Sequence, residues 1–173
     1  MKAWVTLLTH SLYMPGLLAL GRSLKNVGSQ YPLIVMVTDT VEVELRKKLI
    51  AEGYLLQEVE RLDPKLDLVS QYLLSRYSEV WTKLRVWEME NLERAILLDA
   101  DMAVLKNMDE LFDLELPENG IAACHACKCN YHKMSKYPPT WIPENCFFTR
   151  SEAMGEARFG IAEPDDYFNA GLI

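Results

Sequence analysis

The stretch Ala95-Ile96-Leu97-Leu98-Asp99-Ala100-Asp101 decides the fold, because an apolar run ends directly in two carboxylates spaced two residues apart. Short apolar runs bounded by polar residues are typical of buried strands, although a buried helical segment has the same composition. We predict a strand here. Side chains two apart on extended backbone point the same way, so Asp99 and Asp101 can converge on one cation beyond the strand's carboxyl end.

The two carboxylates predict a hard divalent cation. Carboxylate oxygens favour Mg²⁺ or Mn²⁺, and Mg²⁺ is usually held by one or two carboxylates together with substrate phosphates. The implied substrate is therefore a phosphate ester, most simply a nucleotide. The alternative is that both acidic residues are solvated turn formers, since so short a motif arises frequently by chance.

Composition places the chain among ordinary globular proteins. Its 173 residues fit about one domain, half of them are apolar or aromatic, and a quarter are charged. The net charge is −7 and no long basic run occurs, which argues against nucleic acid as a partner. No secretory leader pattern and no apolar run near the roughly 20 residues of a membrane span are present. We therefore expect a cytoplasmic protein without a membrane span.

Strand and helix patterns alternate along the first two-thirds of the chain. Predicted strands cover residues 4–8, 33–37, 54–56 and 95–98, and apolar repeats predict helices around residues 17–24, 41–49 and 80–87. Strand-helix-strand units imply right-handed crossovers and an α/β fold with a mostly parallel central sheet.

The carboxyl ends of parallel strands are where such sheets bind ligands. This rule predicts that residues 7–13, 38–40 and 99–101 lie around one crevice. A nucleotide site is expected in this crevice.

Six short segments carry a family resemblance through their order and spacing. They are Trp4–Tyr13, Gly21–Leu24, Thr82–Trp87, Leu97–Met102, Asn107–Phe112 and Phe168–Gly171. Across essentially its whole length the chain resembles glycosyltransferase family 8, the group of glycogenin and galactinol synthase. The resemblance implies a GT-A-type nucleotide-sugar-binding fold, a UDP-sugar donor, a divalent metal that is usually Mn²⁺, and retaining transfer of a hexosyl unit. UDP-glucose and UDP-galactose are the expected donors.

The resemblance also implies roles for individual residues. Donor-binding positions would be Leu7, Thr9, His10, Tyr13, Arg76, Lys83, Asp99, Ala100 and Asp101. Asp99 and Asp101 would hold the metal. Lys83 would act in catalysis, because a cation beside a diphosphate stabilises charge on the leaving UDP. Asn169 would stand near the transferring sugar and is the second expected catalytic residue.

Several of these positions have ordinary alternatives. Tyr13 could pack on the sheet, Lys83 could be a solvated lysine on a helix face, and Arg76 could be a surface arginine in a loop. Two positions depart from the family pattern. His10 stands where glycogenin-like members have Asn, and Ala170 replaces a hydroxyl residue, which removes one hydrogen bond to the donor.

Two other functions compete with transfer. Haloacid-dehalogenase phosphatases also have an apolar strand ending in Asp-x-Asp, but they place Thr or Val four residues after the first Asp, where this chain has Ala103. They also place that strand near the start of the domain. A nucleotide-sugar-binding protein that does not catalyse transfer is the more serious alternative.

The end of the chain resembles the opening of a family strand, Asn169–Ile173. Beyond it the family supplies an Asp-containing segment near the acceptor and a histidine that completes the metal site. We therefore expect residues 1–173 to be a single but truncated glycosyltransferase domain, in which two carboxylates alone hold metal weakly. The acceptor, whether sugar, polyol or protein, stays open, and so does a homodimer.

A second group of side chains has soft ligand atoms. Its members are Cys124, Cys127, Cys129, Cys146, His125 and His132. They are sufficient for a structural zinc site, although the spacing is imperfect because only single ligands follow the first tight group. The alternative is that Cys124 finishes a buried strand that begins at Ile121, and that Cys127 and Cys129 are free thiols.

Overall fold

The computed structural model describes residues 1–63, 75–118, 120–135, 137–154 and 167–173, and for residues 75–78 and 152–154 it describes the backbone alone. The chain divides into two compact units, Met1–Gly120 and Ile121–Ile173. Among the described residues, no helix has both the length and the apolar character needed to cross a bilayer.

A four-stranded parallel sheet organises the first unit. Its strands are β1 (Lys2–Leu8), β2 (Leu33–Val37), β3 (Leu55–Glu58) and β4 (Arg94–Leu97). They lie in the order β3-β2-β1-β4, and every neighbouring pair is parallel. Each predicted strand of this region is present, and the predicted mostly parallel α/β sheet is confirmed.

In the described part of the first unit, two α-helices accompany the sheet. Helix α1 (Met14–Asn26) has Pro15 in its first turn, where a missing N–H costs nothing. Helix α2 (Val43–Ala51) ends two residues before Gly53, whose φ of +86° favours glycine. One hydrophobic cluster that these elements share contains Leu8, Met14, Leu17, Val35, Val37, Val41, Leu49 and Tyr54.

The helix predicted around residues 80–87 has a different form in the structure. Ser75–Glu88 is a run of 3₁₀ helix, and Val80, Leu84 and Trp87 are 40–54% exposed. Positions four apart share a face in an α-helix, but they do not in a helix of three residues per turn. Thr82, in the same run, is fully buried.

The segment Asn107–Phe112 ties the turn after α1 to the sheet. The indole N–H of Trp4 donates to Ser29 Oγ at 2.8 Å, and the Ser29 hydroxyl donates to Asp109 Oδ1 at 2.6 Å. Asp109 Oδ2 also accepts from the backbone N–H of Gln30 at 2.9 Å. The Phe112 ring lies 4.8 Å from the Trp4 ring and is buried. The segment Asn107–Phe112, which is one of the six that carry the family resemblance, therefore stabilises the fold.

The second unit has little regular structure in its described part. A short antiparallel pair joins β5 (Cys124–His125) to β6 (Phe168–Asn169), and helix α3 covers Phe147–Met154. The His125 ring stacks on Phe147 at 3.5 Å. Ile121 is 58% exposed and Cys124 is exposed, so the predicted buried strand over these residues is wrong. A short apolar run has no periodicity that would show whether it is buried.

Candidate functional site

The candidate site lies where β1, β2 and β4 end. Leu8 of β1 is in register with Val37 of β2, and Val5 is in register with Leu97 of β4, so the three carboxyl ends share one edge of the sheet. The chain passes from β3 on one side of β1 to β4 on the other, which makes the β1–β4 junction the topological switch point. Open α/β sheets bind ligands at such a point. We call residues 7–13, 38–40 and 99–101 the switch-point edge.

Lys83 and Asp99 meet at this edge. The Lys83 ammonium, on the 3₁₀ helix, donates to Asp99 Oδ1 and forms an ion pair with it. The Lys83 side chain is only 16% exposed, whereas that of Asp99 is 35% exposed. This is not the environment of a solvated lysine on a helix face, so the ordinary alternative for Lys83 is wrong. A positive charge is thus fixed beside the first carboxylate of the motif.

A tight turn carries the second carboxylate. The backbone N–H of Met102 donates to the Asp99 carbonyl at 3.1 Å, and Asp101 is exposed. We predicted extended backbone here, with the side chains of Asp99 and Asp101 pointing the same way, but the structure has a turn instead. The backbone after β4, rather than the strand itself, therefore positions Asp101.

Gly16 fixes the position of that turn against α1. A Cβ atom added at Gly16 would lie 2.7 Å from the carbonyl oxygen of Ala100 and 3.1 Å from the Cα of Asp101. Real side chains do not approach backbone so closely, so only glycine fits. Sequence reasoning missed Gly16, since a glycine after Pro15 reads as an ordinary helix start.

Thr9 is anchored from two sides. Its hydroxyl donates to Glu79 Oε2 at 2.7 Å, and its carbonyl accepts from the Thr40 hydroxyl at 2.7 Å. The Thr40 and Thr38 hydroxyls are 2.6 Å apart. The ends of β1 and β2 are thereby joined by side chains. Glu79 gave no signal in the sequence, because nothing links its position to Thr9 before the chain folds.

The remaining predicted residues of β1 and its loop lie at the same edge. Leu7 is half-buried, and Tyr13 is 40% exposed at the start of α1. His10 is exposed and caps the turn Ser11–Tyr13, because its Nδ1 accepts from the backbone N–H of Leu12 at 3.1 Å. The open Tyr13 ring leaves apolar surface available to a ligand.

Two predicted residues stand apart from this description. The side chain of Arg76 lies outside the described residues. Asn169 belongs to the second unit, where it is exposed and its Oδ1 accepts from the backbone N–H of Gly171 at 2.8 Å. Its amide thus holds the turn that follows β6.

Comparison with known families decides the relationship. The model of glycosyl transferase family 8 matches residues 5–173. The chain belongs to this family. Galactinol synthase 7 of Arabidopsis thaliana is 32% identical over 173 residues, covering 99% of this chain and 51% of the relative. Galactinol synthase 1 of Solanum lycopersicum is 35% identical over 172 residues, covering 99% and 49%.

The family 8 chain spans about half the length of the curated relatives it matches. Its fold is that of solved glycosyltransferases. The galactosyltransferase LgtC, in complex with donor and acceptor sugar analogs, superposes with a TM-score of 0.57 at 15% identity, covering 99% of this chain and 56% of LgtC. An active-site mutant of LgtC gives 0.61 at 17% identity with the same coverage. The predicted family and GT-A fold are confirmed.

Three of the four cysteines of this family 8 chain form a cluster in the second unit. The sulfur atoms of Cys127, Cys129 and Cys146 all lie within 4.8 Å of one another. Cys129 and Cys146 are buried, whereas Cys127 is exposed. Cys124 is exposed and lies outside the cluster.

Burial and hydrogen bonds shift the pKa values of the two buried thiols. Burial opposes ionisation of Cys146, but hydrogen bonds from the backbone of Lys128, from the Cys129 thiol and from the first residues of α3 lower its pKa to about 7. Burial raises the pKa of the Cys129 thiol. Of the two buried thiols, Cys146 therefore ionises before Cys129.

A half-open cavity of about 310 Å³ lies at the opposite edge of the sheet. It is lined by residues near the end of α1 and at the starts of β2 and β3, among them Lys25 and Tyr54. Its described lining contains no carboxylate, the group by which Mg²⁺ is usually held together with substrate phosphates. The cavity therefore matches a metal-bound nucleotide less well than the switch-point edge does.

Proposed function

We propose that the protein transfers a hexosyl unit from a UDP-sugar to an acceptor, with retention at the anomeric carbon. The observation that supports this most directly is the Lys83–Asp99 pair beside Asp101 at the switch-point edge. An ammonium and two carboxylates at one sheet edge suit a metal-bound diphosphate, since each charge of the ligand meets its opposite.

The donor set of the motif fits a divalent cation. Asp99 and Asp101 supply oxygen ligands of the type that Mg²⁺ and Mn²⁺ accept together with phosphate oxygens. We propose Mn²⁺, or Mg²⁺ in its place. When bound, the metal neutralises charge on the diphosphate and so makes UDP a better leaving group.

The protein's own groups complete the proposal. Lys83, held in place by Asp99, stabilises the negative charge that builds on the departing UDP. Its ammonium is already oriented by that ion pair and so requires little rearrangement when the sugar leaves. Asn169 is proposed to contact the transferring sugar, and Arg76 the diphosphate.

The nucleoside half of the donor is assigned to the β1 side of the edge. Leu7, Thr9 and His10 line the proposed uridine pocket, and Tyr13 offers its exposed ring to the base. Thr9 is rigid because Glu79 and Thr40 hold it. The backbone of Ala100 is proposed to face the ribose.

The choice of donor is proposed from the names of the relatives. Both are named galactinol synthases. Of the two expected donors, we therefore propose UDP-galactose before UDP-glucose, with a polyol before a sugar or a protein as acceptor. We also propose that both units belong to one catalytic domain.

Two further expectations belong with this proposal. The four cysteines are unpaired, which suits a reducing compartment and supports a cytoplasmic protein. A homodimer remains an expectation that light scattering of the purified chain would test.

Calorimetry of UDP with and without Mn²⁺ tests the donor site. We expect Mn²⁺ to strengthen UDP binding in the wild type and not in Asp101→Asn. Asp113→Asn is the matched control, because Asp113 is an exposed carboxylate paired with Lys2 at the amino end of β1. Equal UDP binding with metal, without metal and in Asp101→Asn would refute the metal-diphosphate site.

A panel of UDP-sugars then separates transfer from binding alone. Release of UDP in the presence of sugar or polyol acceptors supports the transferase. Tight, metal-dependent UDP-sugar binding without any turnover would instead identify a nucleotide-sugar-binding protein.

A further inference from the structure

We propose that Cys127, Cys129 and Cys146 form a zinc site, which the transfer reaction does not use. The three sulfurs already lie within 4.8 Å of one another, and those of Cys127 and Cys146 are 4.0 Å apart. In a tetrahedral site with Zn–S bonds of about 2.3 Å, sulfur atoms are separated by about 3.8 Å. The cluster therefore needs only small side-chain movements to bind the ion.

Backbone groups orient the Cys146 sulfur. Cys146 directly precedes α3, and hydrogen bonds from the backbone of Lys128, Phe148 and Thr149 reach its thiol. Donors aimed at sulfur favour the thiolate, which is the form that binds metal. Such contacts around a ligand atom are a regular part of metal sites, because they fix the ligand before the ion arrives.

The Cys129 sulfur is held in a similar way. It lies 3.8 Å from the Thr149 hydroxyl, and the Tyr131 hydroxyl also contacts it. Cys129 and Cys146 are buried, so these two ligands are shielded from solvent. The exposed Cys127 leaves a path by which the ion can enter.

Three thiolates and a water molecule would complete four-coordinate zinc. Among the described residues no fourth Cys, His or carboxylate joins the cluster. The site would tie the segment around Cys129 to the start of α3. That link matters because the described helix and strands of this unit are short, with eight residues in α3 and two in each strand.

A disulfide is the competing use of the same atoms. Cys127 and Cys146 are close enough to approach bonding distance if their side chains rotate. A disulfide would employ two of the three sulfurs and would leave Cys129 without a function. The metal site uses all three, which is why we propose it.

The first test uses the whole chain as purified, without an affinity column that contains metal and with a reductant present. Elemental analysis should find about one zinc per chain. Replacing the zinc by Co²⁺ should produce the intense near-ultraviolet absorption of thiolate-to-cobalt charge transfer. Neither measurement involves UDP or any variant, so the result is independent of the proposed function.

The second test identifies the ligands. Cys127→Ser is the best variant because Cys127 is exposed, and Cys124→Ser is its matched control, an exposed cysteine outside the cluster. Loss of a ligand should weaken Co²⁺ binding by more than about 100-fold. Removing a residue that only hydrogen-bonds to a metal ligand already weakens metal binding by about 10- to 100-fold. Cys124→Ser should bind like the wild type.

Three outcomes would overturn the proposal. They are protein that contains no zinc and shows no charge-transfer band, equal Co²⁺ affinity in Cys127→Ser and Cys124→Ser, and peptide mapping that finds Cys127 bonded to Cys146 in protein alkylated directly on cell lysis, before any reductant or oxidant is added. The last outcome would assign these two residues to a disulfide.

Discussion

Lys83 and Asp99 form an ion pair that joins the 3₁₀ helix Ser75–Glu88 to the end of β4. The pair places a cation directly beside a proposed metal ligand. Attraction between Lys83 and Asp99 therefore opposes binding of a bare cation, whereas a metal that arrives with a diphosphate offers Lys83 new partners. Metal and nucleotide should consequently bind better together than apart.

Replacing Lys83 with Met should raise the affinity for Mn²⁺ and lower the rate of donor turnover. Mn²⁺ alone should bind about 2- to 10-fold more tightly, because a nearby positive charge is removed. Turnover of the donor should fall by about 100- to 1,000-fold, since charge on the leaving UDP loses its partner. Paramagnetic titration of Mn²⁺ and a UDP-release assay measure the two effects.

The control for this variant is Lys47→Met, at an exposed lysine on α2, which should change neither quantity. Weaker Mn²⁺ binding in Lys83→Met would contradict the argument.

Gly16→Ala should damage the site through the backbone. The new methyl group would press on the Ala100 carbonyl, so the turn that carries Asp101 must move. We expect UDP affinity in the presence of Mn²⁺ to fall by at least about 10-fold, and stability to fall by about 1–3 kcal/mol. Calorimetry and thermal unfolding measure these losses.

Gly21→Ala is the control on the same helix. Its added methyl group would collide with the Tyr54 ring, at the far edge of the sheet. Stability should fall as it does in Gly16→Ala, while folded protein should bind UDP and Mn²⁺ normally. If both variants lose UDP affinity equally, the Gly16 contact has no specific role in the site.

Asp109→Ala should reduce stability without affecting the site. It removes the acceptor for the Ser29 hydroxyl and for the Gln30 backbone N–H, which costs about 1–3 kcal/mol. Denaturant unfolding measures the loss. UDP binding by the folded protein should remain unchanged. Asp113→Ala, at an exposed carboxylate nearby in sequence, should leave the unfolding midpoint where it is.

The Tyr54 hydroxyl should make stability depend on alkaline pH. Burial, with a smaller contribution from Glu52, raises the pKa of Tyr54 above its ordinary value. The unfolded chain therefore releases this proton at a lower pH than the folded protein does. The contribution of Tyr54 to the free energy of unfolding is fully present below the unfolded-state pKa of about 10, and it is lost as pH rises through the folded-state pKa. Unfolding free energies measured between about pH 8 and pH 11 should decline less steeply in Tyr54→Phe. Identical slopes in both proteins would show that Tyr54 ionises freely.

The sequence predicted the parts of the structure that depend on local pattern. The runs at residues 33–37 and 95–98 are apolar and bounded by polar residues, so their strands were predictable. The parallel order then placed Asp99 and Thr9 at one edge without any distance being known. The family resemblance added Lys83, which the residue pattern alone assigned to a solvated surface.

What the sequence did not predict depends on contacts between distant segments. Glu79 reaches Thr9 across 70 positions, and Gly16 matters only because the Ala100 turn lies against it. The sequence indicated Cys146 as a possible ligand, but it could not show that the Cys146 sulfur lies 4.0 Å from that of Cys127, 19 residues away, or that Cys124 lies outside the cluster. The 3₁₀ geometry of Ser75–Glu88 was missed because its apolar residues are spaced as in an α-helix.

The network of Trp4, Ser29 and Asp109 has a consequence for tracing ancestry. Because Asn107–Phe112 supports architecture, natural selection on folding alone would preserve it in a descendant that had exchanged Asp99 and Asp101 for other residues. Sequence comparison based on this segment would still group such a descendant with its active homologues. Surveys that aim to count working enzymes should therefore weigh the proposed site positions 83, 99 and 101, and treat positions 107–112 as a record of descent.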